Sequence, residues 1–267
     1  MSLTSNPSLD EVLAAVRRDL DRRRREKTMR QQLVLAARRK DYRDFGLAVR
    51  RAPSQSLRWI GEVKKASPSA GLIKPDFDAA AIAKIYAKKG ACAVSVLTEA
   101  TYFQGSLDDL SNVRRETVLP LLRKDFLLDE YQIVEAAAAG ADAVLLIVAI
   151  TQFKTIERFL KVAADQNLAC LVEVHTPDDL NKALDAGALI IGINNRNLKT
   201  LQVDLGVTGQ LYSQVPKGMI VVSESGYQTR EQIQKVRDLG VDAVLIGETL
   251  MRSQDIEKSV DEMFGVK

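Results

Sequence analysis

The segment Gly140-Ala-Asp-Ala-Val-Leu-Leu146 returns one hundred residues later as Gly240-Val-Asp-Ala-Val-Leu-Ile246. Weaker copies, Gly90-Ala-Cys-Ala-Val-Ser-Val96 and Gly187-Ala-Leu-Ile-Ile-Gly-Ile193, place the four glycines 50, 47 and 53 residues apart. Spacing of this kind marks a chain assembled from like supersecondary units. Each glycine ends a stretch of helical periodicity (77–89, 129–139, 177–186 and 229–239), the place of a left-handed cap. Each also opens a short apolar run without alternation, as suits a strand buried on both faces.

Four further apolar segments, Leu57–Lys64, Val118–Lys124, Ala169–Val174 and Met219–Ser223, bring the strand candidates to eight. Strands alternating with helices pair in parallel through right-handed crossovers. Eight βα units of about 25 residues each fill 57–267, which predicts an α/β fold, a closed (β/α)8 TIM barrel. An open doubly wound sheet would offer a glycine-rich dinucleotide turn after its first strand, but that turn reads Lys64-Lys-Ala-Ser-Pro-Ser-Ala-Gly71. Residues 1–267 are thus read as one barrel domain, of which 1–50 is an N-terminal helical extension. Within it, 8–44 reads as a long basic helix or a helix pair, opened by the capping box Ser8-Leu-Asp-Glu11 and carrying Val12, Leu13, Val16 and Leu20.

Charge narrows the function. The chain has 38 Lys+Arg against 35 Asp+Glu, too balanced for a dedicated nucleic-acid binder. Residues 1–50 hold 13 of the bases and 7 of the acids, yet the run Arg22–Arg25 lacks interleaved aromatics and reads as a solvated helix face. Cys92 and Cys170 sit in apolar stretches as reduced core thiols. With one histidine, His175, neither a zinc cluster nor a disulfide framework can be assembled. No apolar run spans a bilayer and no signal sequence opens the chain, so a cytoplasmic setting without membrane contact is expected.

Barrels of this kind gather their chemistry at the C-terminal ends of the strands. Polar residues stand there repeatedly: Glu62-Val-Lys64, Arg123-Lys124-Asp125, Glu173, Asn194-Asn-Arg196, Ser223-Glu224-Ser225-Gly226 and Gly247-Glu248. Alternation directs Glu62 and Lys64 to the same side, the barrel interior. Any one of these is an ordinary ion-pair residue by itself. Together, Glu62, Glu173 and Glu224 against Lys64, Lys124 and Arg196 make a mouth that is neutral in sum. Ser225-Gly226 and Gly247-Glu248, on adjacent strands, have the form of a phosphate cradle. Glu248 sits awkwardly in it, where a small hydroxyl residue would be natural, so backbone N–H groups should dominate. His175 has no evident partner and reads as structural.

The order Ile60-Gly-Glu-Val-Lys-Lys-Ala-Ser-Pro-Ser69, Val96-Leu-Thr-Glu99, Phe103-Gln-Gly-Ser106, Leu121-Leu-Arg-Lys-Asp-Phe126, Leu171-Val-Glu-Val-His175, Gly192-Ile-Asn-Asn-Arg-Asn-Leu198, Val222-Ser-Glu-Ser-Gly226 and Leu245-Ile-Gly-Glu248 resembles the indole-3-glycerol phosphate synthase family over the whole barrel and its extension. The resemblance implies a carboxy-lyase of tryptophan biosynthesis. Its substrate would be 1-(2-carboxyphenylamino)-1-deoxyribulose 5-phosphate, with no metal and no organic cofactor. It implies Lys124 as the acid that protonates the substrate carbonyl, and Glu173 as the base. Glu62 and Lys64 would hold the substrate carboxylate and serve the dehydration, Asn194 and Glu224 would position hydroxyls, and Arg196 would give electrostatic support. Phe103 and Phe126 would form a slot for the anthranilate ring. Ser67, on the loop Ser67-Pro-Ser69 between the basic Lys65 and Lys74, would close over the site, and Ser225, Gly226, Gly247 and Glu248 would take the phosphate. The best proton donor at neutral pH would be a lysine with a lowered pKa, which burial favours and nearby glutamates oppose.

Three other readings stay open at this point: a Schiff-base aldolase working through Lys124, a sugar-phosphate isomerase on the same cradle, and a non-catalytic protein contacting partners through Arg22–Arg25. The expected partner is a phosphorylated small molecule rather than nucleic acid, and the chain a monomer or weak homo-oligomer.

Overall fold

The computed structural model describes residues 6–52 and 55–265, so the two ends of the 1–267 reading lie outside the described residues. Eight parallel strands close on themselves: β1 (Arg58–Val63), β2 (Ala93–Leu97), β3 (Leu121–Lys124), β4 (Ala143–Ile147), β5 (Ala169–Val174), β6 (Ile190–Asn194), β7 (Ile220–Glu224) and β8 (Ala243–Ile246). Each pairs with its neighbours in sequence, and β1 pairs with β8 to complete the (β/α)8 barrel. The glycines of the repeat all adopt left-handed φ, at 83°, 105°, 87° and 104°, as helix ends turning into strands require. The third strand starts later than its apolar run suggests. Pro120 cannot donate to a ladder, and Val118 is left exposed.

Around the barrel run α4 (Ala79–Lys88), α5 (Leu107–Glu116), α6 (Glu130–Ala139), α7 (Phe153–Asp165), α8 (Pro177–Asp185), α9 (Gly206–Tyr212), α10 (Arg230–Leu239), α11 (Glu248–Arg252) and α12 (Ile256–Phe264). Strand alternation sorts the core into two layers. Ile60, Leu122, Leu145, Leu171, Val222 and Leu245 fill the interior, while Trp59, Val63, Val94, Leu146 and Val244 pack outward against the helices. Fully burying each aliphatic side chain contributes about 1.5–3 kcal/mol, so the interior is a packed plug rather than a pore.

The extension forms three helices, α1 (Leu9–Glu26), α2 (Met29–Arg38) and α3 (Phe45–Val49), two of them within the predicted helix pair. The Ser8–Glu11 capping box is present, and Val12, Leu13 and Val16 of α1 join the interior cluster. α2 follows the outside of α6, where Gln32 Nε2 donates to the Tyr131 hydroxyl at 3.1 Å. Phe45 and Val49 of α3 close the N-terminal end of the barrel. The arginine run is largely the solvated face expected of it, with Arg22, Arg24 and Arg25 exposed, although ion pairs engage three of its four members. Arg22 pairs within α1 to Asp19 and Glu26, Arg24 reaches Asp129, and Arg23 is largely buried against Glu135. Among the described residues no helix is long and apolar enough to cross a membrane.

The repeat has a structural cause at the barrel base. Asp142 accepts from the backbone N–H of Leu121 and of Arg43, at 2.9 and 3.0 Å. One hundred residues on, Asp242 accepts from the N–H of Val221 and of Arg51, each at 2.9 Å. Each repeated aspartate therefore ties its own strand to the preceding strand and to the segment that leads into β1, Asp142 through Arg43 of the extension and Asp242 through Arg51 just after it. Asp142 is further clamped by Arg39 and Arg114.

Candidate active site

A cavity of about 470 Å³ opens at the C-terminal ends of the strands. Thirteen of the fourteen residues singled out from the sequence line it: Glu62, Lys64, Ser67, Phe103, Lys124, Phe126, Glu173, Asn194, Arg196, Ser225, Gly226, Gly247 and Glu248. Glu224 does not. Its side chain is fully buried beneath Lys124 and accepts from the ammonium at 3.1 Å, so it holds that lysine instead of facing the hydroxyls of a ligand. Arg123, read as one of the mouth residues, points the other way. Strand alternation sends it outward into a buried network with Asp125, Glu135 and Thr98.

Three carboxylates and two ammoniums meet at the base of the cavity. Lys64 pairs with Glu62 at 2.6 Å, and Lys124 lies 3.5 Å from Glu62 and 3.1 Å from Glu224. Arg196 does not join them, contrary to the neutral mouth expected of the sequence. Its guanidinium turns to Glu248 at 3.2 Å, and Glu248 also takes Arg252 at 3.1 Å. The inner cluster thus has one negative charge too many. Burial would raise Glu62, but the ammoniums of Lys64 and Lys124 outweigh it and hold that carboxyl at about 2. Glu224 is pushed up to about 7, chiefly by burial, against the pull of Lys124 and with the repulsion of Glu173. Glu173 is raised for the same first reason, although Lys124 and a hydrogen bond from Asn194 oppose the shift. Burial thus favours the protonated form of both Glu173 and Glu224, which offsets the excess negative charge.

The same carboxylates decide the state of Lys124. Burial would lower it, yet Glu224, Glu62 and Glu173 together outweigh burial and raise it above the ordinary lysine range. It is therefore an ammonium at any physiological pH, a charged donor aimed at the cavity, and not the lysine of lowered pKa that a neutral-pH acid would favour.

Two glycines make room for this cluster. A Cβ on Gly192 would overlap Glu224 Oε1, and one on Gly247 would overlap Glu62 Oε2. Gly192, in β6, was not singled out as a site residue, because only the closed barrel brings it against Glu224. Asn194 Oδ1 accepts from the Arg196 N–H at 2.9 Å, which fixes the turn after β6. His175 does have a partner: its Nδ1 lies 2.7 Å from the Asn194 carbonyl oxygen, anchoring the same turn.

Opposite the charges the wall is apolar. Phe103 and Phe126 pack with ring centroids 6.2 Å apart, beside Leu145, Ile147 and Leu198. Pro7, Leu9 and Val12 of the extension also line the cavity. They show in the sequence only as helix-start and core residues, since nothing local says that α1 crosses the mouth. The Ser67 loop is a short antiparallel ribbon of Ala66–Ser67 against Gly71–Leu72, in which Ser67 Oγ accepts from the Ala70 N–H at 3.2 Å. Lys74 ties its far end to the Ser253 carbonyl at 3.0 Å. At the rim, Ser225 and Gly226 both take left-handed φ, at 70° and 91°, and α11 begins just after Gly247. Glycine-bearing turns beside a helix start present N–H groups to an anion. The arrangement can therefore donate a proton, accept one, hold an aromatic ring and bind an anion within one cavity.

Comparison with known proteins agrees with this geometry. A family model described as indole-3-glycerol phosphate synthase matches residues 9–263. Among curated proteins, the chain is 44% identical over 252 residues to an indole-3-glycerol phosphate synthase of Nautilia profundicola, covering 94% of this chain and 96% of that one. It is 51% identical over 212 residues to a namesake of Dehalococcoides mccartyi, covering 78% and 82%. Among solved structures, a variant tryptophan synthase α-subunit of Pyrococcus furiosus aligns with a TM-score of 0.60 at 14% identity, covering 79% of this chain and 98% of that one, which speaks to the fold alone. Taken with the barrel and the charged cavity at its mouth, these matches show that the chain belongs to the indole-3-glycerol phosphate synthase family.

Proposed function

We propose that this chain closes the indole ring: it converts 1-(2-carboxyphenylamino)-1-deoxyribulose 5-phosphate into indole-3-glycerol phosphate, CO2 and water. The observation that carries the reading is the ammonium of Lys124, held between Glu62 and Glu224 inside a cavity whose rim bears Ser225, Gly226 and Gly247. As the ring carbon bearing the carboxylate attacks the ketose carbonyl, negative charge develops on the carbonyl oxygen. Lys124 stabilises that charge and delivers a proton. Loss of CO2 restores the aromatic ring. The hydroxyl then leaves as water, with a proton from Lys64 and assisted by the nitrogen lone pair, and the ring CH2 carbon beside nitrogen gives up a proton to Glu173, whose pKa burial raises, which leaves the indole with its N–H in place. Glu62, at 2.6 Å from Lys64, holds that acid in place. Glu224 acts beneath Lys124 rather than on the substrate.

Phe103 and Phe126, with Leu9 and Val12, supply the slot for the anthranilate ring, and Asn194 with Arg196 borders the sugar. The phosphate takes backbone N–H groups at Ser225–Gly226 and at the start of α11, and Glu248 keeps Arg196 and Arg252 at the edge of that cradle. Ser67 belongs to the loop that covers the site. An aldolase acting through an imine needs a neutral amine, which the raised pKa of Lys124 opposes. Arg22, Arg23 and Arg24 of the arginine run, engaged in ion pairs with Asp19, Glu26, Glu135 and Asp129, favour a phosphorylated small molecule over nucleic acid as the partner. A reducing cytoplasmic setting is supported by Cys92 and Cys170, whose thiols burial pushes up to about 12. The working unit is one barrel domain spanning 1–267, as a monomer or weak homo-oligomer.

The test is to supply the carboxyphenylamino deoxyribulose phosphate and follow indole fluorescence. Wild-type protein should turn over, and Lys124→Ala and Glu173→Gln should each lose about 10²–10⁴-fold in kcat while keeping the fold. Unchanged rates in both variants would defeat the assignment.

A further inference from the structure

Asn195 is the neighbour of a cavity residue and itself never reaches the cavity. Alternation along β6 directs Asn194 inward and Asn195 outward, where it is 0% exposed between β7 and α9. All its polar groups are engaged. Its Nδ2 donates to the Ser225 carbonyl at 3.1 Å and to Ser223 Oγ at 3.3 Å. Its Oδ1 accepts from Thr208 Oγ1 at 2.8 Å and from the Thr208 N–H at 3.2 Å. Its own N–H donates to the Glu224 carbonyl, and its carbonyl accepts from Asp204, both at 2.9 Å. Thr208, Ser223 and the Tyr227 hydroxyl complete a closed buried network, with Ser223 Oγ at 2.5 Å from Thr208 Oγ1 and 2.6 Å from Tyr227.

This network converges on one strained point. Ser225 is a non-glycine residue at φ 70°, followed by Gly226 at 91°. That conformation is strained for a side-chain-bearing residue, which keeps it only where neighbours over-determine it. The turn lies at the cavity rim, and the N–H groups of Gly226 and Tyr227 find no acceptor among the described residues.

We propose that Asn195 is a positioning residue of the anion cradle: by gripping the Ser225 carbonyl it holds the Ser225–Gly226 turn left-handed, and so aims the Gly226 and Tyr227 N–H groups at the phosphate of a phosphorylated substrate. The chemistry requires an amide, because one end must donate to Ser225 and Ser223 while the other accepts from Thr208. The inference rests on the ring-closure reading for the nature of the substrate. Its own content is the coupling of a buried amide to anion affinity.

The experiment measures inorganic phosphate as a competitive inhibitor, together with kcat and KM, in wild type, Asn195→Ala and Thr208→Val. Thr208→Val removes the hydroxyl that orients the Asn195 amide and leaves the amide in place. In Asn195→Ala the phosphate inhibition constant and KM should both rise about 10- to 100-fold, with kcat within about threefold. In Thr208→Val the rise should be about 3- to 10-fold, and this variant decides the matter if Asn195→Ala does not fold. A purely structural role would lower Tm and leave phosphate affinity of the folded protein unchanged. That result, or a fall in kcat at constant KM, overturns the inference. Absence of turnover in wild type would instead refute the ring-closure reading.

Discussion

Replacing Lys124 by Met removes the ammonium that touches both Glu62 and Glu224 while nearly preserving side-chain volume. At an effective dielectric of about 20, unit charges at the observed 3.1 Å attract by about 5 kcal/mol, and the lysine no longer buried returns part of this. Removing one partner of a buried pair costs about 3–5 kcal/mol in practice. The sign with pH follows from Glu224 and Glu173, both raised by burial above the ordinary 4.5 of a glutamate. Without the ammonium they rise further. A carboxyl whose folded pKa is raised contributes its stability below the unfolded pKa and loses it as pH climbs through the folded value. At pH 5, below the value of about 7 to which Glu224 is raised, that carboxyl is protonated and the penalty is smallest, about 1 kcal/mol. Between pH 6 and pH 8 each extra bound proton costs about 1.4 kcal/mol per pH unit, which brings the loss to about 3–5 kcal/mol. Denaturant titrations of wild type and Lys124→Met at pH 5 and pH 8, with equal m-values, measure both. Equal losses at the two pH values would refute the reasoning, because they would mean that Lys124 does not compensate these carboxylates.

Gly192→Ala places a Cβ on Glu224 Oε1 and should displace the carboxylate that carries Lys124, cutting kcat about 10- to 100-fold with a stability loss of about 1–3 kcal/mol; steady-state fluorescence assays beside thermal melts separate the two. On the acid side, kcat/KM should fall as pH drops through a range above the ordinary 4.5 of a glutamate, since Glu173 must be ionised to act as base and burial raises it. A pH–rate profile whose acid limb sits at or below 4.5 would contradict that. Asp142→Ala strips the acceptor from Arg39, Arg114, Leu121 and Arg43 at the barrel base, and should cost about 3–5 kcal/mol in chemical denaturation without changing KM.

The parts of the molecule legible in the sequence are those governed by local periodicity. Glycine-terminated helices and two-sided apolar runs locate the strands, and two-residue alternation aims Glu62 and Lys64 together into the barrel, where they pair at 2.6 Å. What could not be read depends on height and on distant partners. Glu224 and Glu173 both end strands, yet the stagger of the barrel leaves Glu173 at the cavity and sinks Glu224 beneath Lys124. Arg196 has a long side chain with a choice of anions, and Glu248 across the rim wins over the inner glutamates. Gly192 and Asn195 look like ordinary members of a strand end, and only β7 packed alongside reveals that one makes room for Glu224 and the other grips Ser225. The contribution of Leu9 and Val12 to the cavity follows from the path of α1 over the mouth, which no spacing encodes.

Nitrogen-15 NMR of the Lys124 side chain reads the protonation state on which the acid role depends. With Glu62, Glu173 and Glu224 around it, the Nζ resonance should remain that of an ammonium up to and beyond pH 10. A titration near neutral pH would contradict the account, because it would leave a free amine where a charged proton donor is required.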